Sequence, residues 1–342
     1  MGAEALRANS ELPPGAEQTV TPSPATAELA RHRLGSSDVW VTPFVLGLAP
    51  IAGLYAAVSD EDAREALEAA WGCGIRAFDT APHYGAGSSE SRLGSFICDH
   101  VRSKMIVSSK VGRLLVPADS DVEGAHLFYG TPRLTRVLDF SGAGVKRSVA
   151  ESCARLGTDR IDIAFVHDPD EHFAEALEQS LPALADLRDE GVVGAIGVAM
   201  NQSAMLARFV READIDCVMV AGRWSLLDRC AGDELLPLCL ERDVGVLVAG
   251  VFNSGILARP EPGATFDYAP AAPELLAKAR QMQDACAAHG VPLRAAALQF
   301  PLRHPAVSAV VFGARSAAEV IDDVSDLRRE LTAELWDELD AN

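Results

Sequence analysis

Ala77-Phe78-Asp79-Thr80-Ala81-Pro82-His83-Tyr84-Gly85 is the stretch on which the reading of this chain turns. The apolar run Ile75 to Phe78 predicts a short buried strand, and Thr80-Ala81-Pro82 carries the chain off its end. An acid, a phenol and a glycine-rich loop follow at once. A carboxylate and a tyrosine just past the C-terminal end of a barrel strand stand where chemistry is done, not where a core is filled. On this segment alone the alternative is open: Asp79 caps the next helix and Tyr84 packs. The rest of the chain decides between them.

Outward from this stretch a rhythm runs through the sequence. Short β-like runs are expected at Phe44–Leu48, Ile75–Phe78, Met105–Ser109, Ile161–Val166, Ala195–Val198, Cys217–Val220, Gly245–Ala249 and Ala309–Phe312. Amphipathic helical stretches alternate with them at Asp60–Gly72, Ser89–Cys98, Ala143–Leu156, Gln179–Glu190, Gln202–Glu212, Gly232–Arg242 and Ala317–Val324. Repeated βα units argue for a parallel sheet. Eight of them fit a (β/α)8 TIM barrel of the α/β class better than a doubly wound sheet, and the first unit has no Gly-rich dinucleotide turn. Arg31–Gly35 and Val39–Thr42 read as an N-terminal β-hairpin turned by Gly35-Ser36-Ser37-Asp38. Pro273–Ala288, Leu293–Leu302 and Leu331–Leu339 read as extra helices towards the C-terminus. Residues 1–30, rich in Ala, Pro, Glu and Ser without periodicity, are expected to be a disordered tail, and residues 31–342 one barrel domain.

Composition narrows the class of partner. A net charge of -19 on 342 residues argues against nucleic acid or an anionic membrane surface, because phosphate binding needs a basic face. No apolar run approaches a membrane span and no secretory pattern opens the chain, so a cytoplasmic protein is expected. Its 7 cysteines are scattered, odd in number and free of CxxC spacing, which reads as buried reduced thiols without disulfides or a metal site.

Other predicted strands end as the first does. Ser108-Ser109-Lys110 ends one with a lysine, and Phe165-Val166-His167 ends the next with a histidine. Singly, such a lysine is usually a solvated loop charge and such a histidine a hydrogen-bonded structural residue. In a barrel, however, these ends converge on one face, so Asp79, Tyr84, Lys110 and His167 can meet there. A free tyrosine, with a pKa near ~10, is too weakly acidic to be a base at neutral pH. A neighbouring lysine ammonium favours the phenolate, a carboxylate holds that lysine, and a histidine orients the reacting oxygen. The set suits proton transfer at an alcohol or carbonyl oxygen coupled to hydride transfer with a nicotinamide.

Phe78-Asp79-Thr80-Ala81, Tyr84-Gly85, Ser89-Glu90 with Leu93-Gly94, Ser109-Lys110 and Val166-His167 together resemble the signature of the aldo-keto reductases. The resemblance runs from about Leu34 to the C-terminus. It implies Tyr84 as acid/base, Lys110 and Asp79 tuning it, His167 orienting substrate, and an extended nicotinamide cofactor across the barrel mouth. Gly130-Thr131-Pro132, Asp139-Phe140-Ser141, His167-Asp168-Pro169-Asp170, the stretch Ala221 to Asp228 and the stretch Gly250 to Leu257 resemble one branch of that family. It contains D-threo-aldose (L-fucose) 1-dehydrogenases and pyridoxal 4-dehydrogenase. Such enzymes oxidise a cyclic hemiacetal to a lactone, which makes a sugar of the L-fucose or D-arabinose type, or pyridoxal, the implied partner. A general aldehyde reductase and a non-catalytic cofactor-binding subunit are the weaker alternatives, and a monomer or small homo-oligomer is expected.

The resemblance also implies contacts. Asn201 matches the position that bonds the nicotinamide amide, although a helix N-cap before Gln202 is an equal reading. Phe252, Asn253, Ser254, Gly255 and Leu257 form a Gly-containing loop for the pyrophosphate, and Gly313, Arg315, Ser316, Glu319 and Asp323 match the adenosine end. Many relatives carry Arg or Gln in place of Glu319 and Asn in place of Asp323. A carboxylate repels a 2′-phosphate and accepts from a ribose hydroxyl, so NAD is expected over NADP, with Arg315 leaving NADP open. Ala249 stands where many relatives place a tyrosine against the nicotinamide, with Phe252 or Trp224 as replacements. Tyr55, His83, Arg113, Arg223 and Trp224 are the candidate substrate contacts. Arg113 to Asp139 reads as a lid-like loop, and the acidic run Asp168–Glu171 as a solvated one.

Overall fold

The computed structural model describes residues 29–120 and 122–341; the expected tail lies, but for Leu29 and Ala30, outside the described residues. Strands β1 (His32–Arg33) and β2 (Trp40–Val41) form the N-terminal hairpin. Its turn needs glycine. Gly35 has φ +54°, and a Cβ there would fall 2.3 Å from the Asp216 carbonyl oxygen and 2.6 Å from the Gly245 nitrogen. The hairpin therefore seals the N-terminal end of the barrel. Leu34, Val39 and Val41 join Val45, Ile163, Phe165, Met219 and Leu247 in one interior cluster.

The barrel begins with β3 (Phe44–Gly47), β4 (Ala77–Asp79) and β5 (Ile106–Val111). A hairpin of β6 (Arg113–Pro117) and β7 (Leu134–Leu138) interrupts it before β8 (Ile161–His167), β9 (Val193–Met200), β10 (Cys217–Ala221) and β11 (Gly245–Ala249). A small hairpin, β12 (Thr265–Phe266) with β13 (Ala269–Pro270), precedes the last barrel strand, β14 (Val307–Gly313). The eight barrel strands close in the order β3-β4-β5-β8-β9-β10-β11-β14, with β14 paired back to β3 and every neighbour parallel. This is the expected (β/α)8 barrel, each predicted strand in place within a few residues.

Alternation along the strands sets what each face offers. On β4 Ala77 turns inward to the interior cluster while Phe78 packs outward among the surrounding helices. Asp79 shares the parity of Ala77. On β8 Phe165 lies inside and Val166 outside, so His167 shares the inward parity of Phe165. The same count brings Lys110 inward on β5, two residues beyond Ser108. The chemistry-bearing side chains are thus the last inward residues of three adjacent strands.

Helices Asp60–Gly72 and Pro273–Ala288 have the expected bounds, and Ser59 caps the first by accepting from the Asp62 N–H. Prolines shift others. Leu293–Gln299 ends in a 3-10 turn, Phe300–Arg303, that contains Pro301, and Leu181–Asp189 starts afresh with Pro182 in its first turn after a π turn, Ala176–Ser180. The expected Gly232–Arg242 helix shortens to Leu235–Glu241 behind a 3-10 turn. The extra helices Pro273–Ala288, Leu293–Gln299 and Ala333–Ala341 build a separate apolar cluster with Leu226, Ile256 and Leu257. Among the described residues no helix is long and apolar enough to cross a membrane.

Two motif residues have purely internal partners. Fully buried Glu90 accepts from Ser109 Oγ at 2.8 Å and from Arg155 Nε at 2.6 Å. Ser89 accepts from Thr80 Oγ1 at 2.7 Å, which ties the loop after β4 to the helix Ser88–Cys98.

Candidate active site

Lys110 Nζ donates to both oxygens of Asp79, at 2.7 and 2.9 Å, and to the Thr80 carbonyl at 3.0 Å. Ser108 Oγ adds a bond to Asp79 at 2.7 Å, and both charged side chains are about 2% exposed. Tyr84 arrives from the loop after β4. Gly85, Ala86 and Gly87 all have positive φ, and a Cβ on Gly85 would fall 2.5 Å from the Ala52 carbonyl oxygen, so this turn requires Gly85. The turn sets the Tyr84 ring 4.6 Å from Lys110 Nζ and 6.0 Å from the His167 ring, perpendicular to it. The four residues read from separate segments meet in one place.

Their electrostatics follow from burial. Burial pushes the Tyr84 phenol up to about 12, with Lys110 pulling the other way and Asp79 adding to the rise. This corrects the expectation of a lowered value: the lysine effect is present, and desolvation exceeds it. For Lys110 burial opposes the charge, but Asp79 and then Tyr84 outweigh it, and the pKa rises. Burial drives His167 well below the ordinary histidine value, and Lys110 and Arg113 act in the same sense. His167 is thus a neutral imidazole. His83 is lowered to about 2, first by burial and then by Arg113 and Arg136.

The tetrad lies in a cavity of about 410 Å³ whose wall contains His83, His126, Phe128, Asp168, Asn201, Ala249 and Tyr268. Several of these escaped the sequence reading. The segment Arg113–Asp139 is not a bare loop. Its β6–β7 hairpin carries Phe128 and His126 against the site, with Phe128 stacked 6.2 Å from Tyr84 and His126 5.3 Å from His83. Arg136 holds this hairpin to the site loop by donating to the His83 carbonyl at 2.7 Å. Asp168 is not a free loop charge: half-buried, it lines the cavity and accepts from Arg113 Nη2 at 2.7 Å. Tyr268 comes in on the turn between β12 and β13; the turn-forming stretch Phe266-Asp267-Tyr268-Ala269-Pro270 was its only signal in the sequence.

A groove of about 320 Å³ continues from this cavity, sharing Leu54, Gly250, Tyr268 and Gly313 with it. Tyr55, Phe252, Ser254, Gly255, Arg315 and Glu319 line it. Glu319 accepts from the Arg315 N–H at 2.9 Å, and Ser316 Oγ caps the following helix by accepting from the Glu319 N–H. Asn201 lines the cavity and donates Nδ2 to the Ala221 carbonyl at 3.1 Å; it does not cap the next helix.

Other expected contacts stand elsewhere. Leu257 is fully buried in the C-terminal cluster. Asp323 turns inward from its helix, pairs with Arg294 at 2.5 Å and does not line the groove. Asn253 is buried and donates to the Gly222 carbonyl at 3.0 Å, supporting the loop from behind. Trp224 packs 5.1 Å from Phe300 and donates to the Pro301 carbonyl, away from both cavities. Arg223 grips Asp267 through two bonds of 2.9 and 2.8 Å. Arg113 does not line the cavity; its hydrogen bond there is to Asp168, and its charge also acts on His83 and His167. Ala249 and Tyr268 both line the cavity, and Phe252 lines the groove that continues from it.

The tetrad stands at the C-terminal rim of a closed parallel barrel, the architecture of a (β/α)8 enzyme. The chain belongs to the aldo/keto reductase family, whose sequence profile matches residues 43–342. It is 43% identical over 325 residues to D-threo-aldose 1-dehydrogenase of a Pseudomonas species, across 93% of this chain and 96% of that one. It is 38% identical over 328 residues to pyridoxal 4-dehydrogenase of Microbacterium luteolum, across 90% and 95%. Its fold superposes on an aldo-keto reductase of Bacillus halodurans in its holo form with a TM-score of 0.72, at 25% identity over 92% and 96% of the two chains.

Proposed function

We propose that this aldo-keto reductase oxidises the anomeric hydroxyl of a hemiacetal sugar, of the L-fucose or D-arabinose type, to the lactone with NAD. The observation that carries this reading is the convergence of Tyr84, Lys110, Asp79 and His167 on one cavity that opens into a long groove. The residues fit a dinucleotide. Asn201 Oδ1 accepts from no described residue, which suits a carboxamide, and the groove ends on Arg315 and Glu319. When bound, the oxidised nicotinamide supplies the hydride acceptor and a positive charge.

The chain's own residues handle the proton. Neutral His167 donates a hydrogen bond to the anomeric oxygen and orients it towards Tyr84. Tyr84 takes the hydroxyl proton as the C–H bond is given up. Lys110 opposes the burial that holds the phenol protonated, and any further positive charge in the cavity moves Tyr84 the same way. Asp79 keeps Lys110 charged and fixed, and the Thr80 carbonyl sets its direction.

Glu319 supports NAD over NADP. Its carboxylate lines the groove and accepts from the Arg315 backbone N–H, with the guanidinium 3.8 Å away, so a 2′-phosphate meets a negative charge where a ribose hydroxyl meets an acceptor. Pyridoxal is the second reading. The aromatic wall of His83, His126, Phe128 and Tyr268 and the likeness to pyridoxal 4-dehydrogenase favour it.

Initial rates of nicotinamide reduction, with NAD and NADP against L-fucose, D-arabinose and pyridoxal, test the proposal. NAD-dependent turnover of a sugar supports it. Turnover of pyridoxal alone moves the assignment to the second reading, and cofactor binding without turnover of any of the three contradicts both.

A further inference from the structure

We propose that Asp168 is the residue that selects a substrate bearing a hydroxyl on the carbon next to the reacting one. This rests on the sugar-oxidising reading above. Asp168 directly follows β8, and its backbone N–H donates to the Ala199 carbonyl at 2.9 Å. Its φ of 45° is uncommon for a residue with a side chain, and the backbone holds it in a conformation that lets the carboxylate line the cavity.

The carboxylate is half used. Oδ2 accepts from Arg113 Nη2 at 2.7 Å and lies 3.5 Å from His167 Nε2. Oδ1 accepts from no described residue, and the side chain retains 32% of its accessible surface. Asp79, the other carboxylate of the cavity, is saturated by Lys110 and Ser108. Asp168 is therefore the cavity's one carboxylate with a vacant oxygen among the described residues. Arg113 holds it in place and offsets the cost of its burial.

Position gives the specificity. His167 orients the reacting oxygen, and the Asp168 carboxylate stands beside the same imidazole. A hydroxyl one carbon away from the reacting carbon comes within reach of Oδ1. An aldose hemiacetal carries such a hydroxyl at C2; a simple aldehyde or a 2-deoxy sugar does not. A charge-assisted hydrogen bond of this kind is worth roughly 10- to 100-fold in discrimination.

D-arabinose and 2-deoxy-D-ribose differ only at that hydroxyl, so their kcat/KM ratio reads the contact directly. The wild-type enzyme with NAD is expected to favour D-arabinose by about 10-fold or more. In Asp168→Ala the ratio should collapse towards one, with the loss falling on D-arabinose and expressed in KM. Asp168→Asn, which keeps the shape and a carbonyl acceptor, should fall between, and its melting curve controls for folding. Equal loss on both sugars would make Asp168 a positioning residue for His167 and overturn the inference. An unchanged ratio with both sugars still turned over overturns the inference alone. Turnover of neither sugar by the wild type overturns the inference, and with L-fucose also inert it overturns the sugar-oxidising reading as well.

Discussion

The Lys110 ammonium is clasped by both oxygens of Asp79 inside the barrel, with the Tyr84 ring 4.6 Å away. Removing either partner leaves a buried charge without its counter-ion, which typically costs about 3–5 kcal/mol. Lys110→Met and Asp79→Asn should therefore each lower stability by several kcal/mol in urea unfolding. The double variant should cost less than the sum of the two. Turnover should fall by about 10² or more in each.

The pH profile follows from the same arrangement. The Tyr84 phenol is pushed up to about 12, so the fraction of phenolate grows throughout the accessible range. The oxidation rate should climb steadily from pH 6 to 9. It should show no inflection near the ordinary histidine value, because His83 and His167 both lie well below it. Initial rates over that range, in wild type and Lys110→Met, check this; the variant should need a higher pH for the same fraction of its maximal rate.

Stability should depend on pH through His83. Its folded pKa is lowered to about 2, against an unfolded value near 6.5. Between these values the unfolded chain binds one more proton at this site, so stability is lost as pH falls below 6.5. His83→Gln removes that contribution. The gap between wild type and variant should shift by about 1.4 kcal/mol per pH unit from pH 6 to 4, the wild type losing more, as measured by urea titrations.

Glu319 makes cofactor choice testable. Glu319→Gln removes the charge and keeps the cap region intact, because the helix is capped by Ser316. The NAD to NADP ratio of kcat/KM should fall by about tenfold, as expected for removal of one like charge at close range. An unchanged ratio would place the adenosine end elsewhere.

Arg223 holds Asp267 and lines neither the cavity nor the groove. Its two bonds to Asp267 pin the turn that carries Tyr268 over the junction of cavity and groove. Arg223→Ala should raise the KM for NAD several-fold and leave the melting temperature nearly unchanged, since the pair is partly exposed. Stopped-flow release of the reduced cofactor should be faster in the variant.

The barrel and its tetrad were legible because both rest on local pattern. Period-two alternation marks the strands, and Asp79, Lys110 and His167 share the inward parity of their neighbours Ala77, Ser108 and Phe165. What escaped depends on the folded chain. Asp168 reads as one acid in an acidic run until a left-handed backbone and Arg113, 55 residues earlier, turn it inward. Tyr268 sits in a two-residue turn with no periodicity, and Arg223 finds Asp267 across 44 residues. A motif gives the positions of Leu257 and Asp323 along the chain but not their burial, Leu257 in the C-terminal apolar cluster and Asp323 against Arg294.

Tyr84→Phe removes one hydroxyl and keeps the ring packed against Phe128, so it isolates the group that moves the proton. Turnover of the best hemiacetal sugar and NAD affinity by fluorescence titration would be measured side by side. The expected result is a loss of turnover of about 10² or more, with NAD affinity within a few-fold of wild type. Turnover within tenfold of wild type would contradict it and remove Tyr84 as the group that moves the proton.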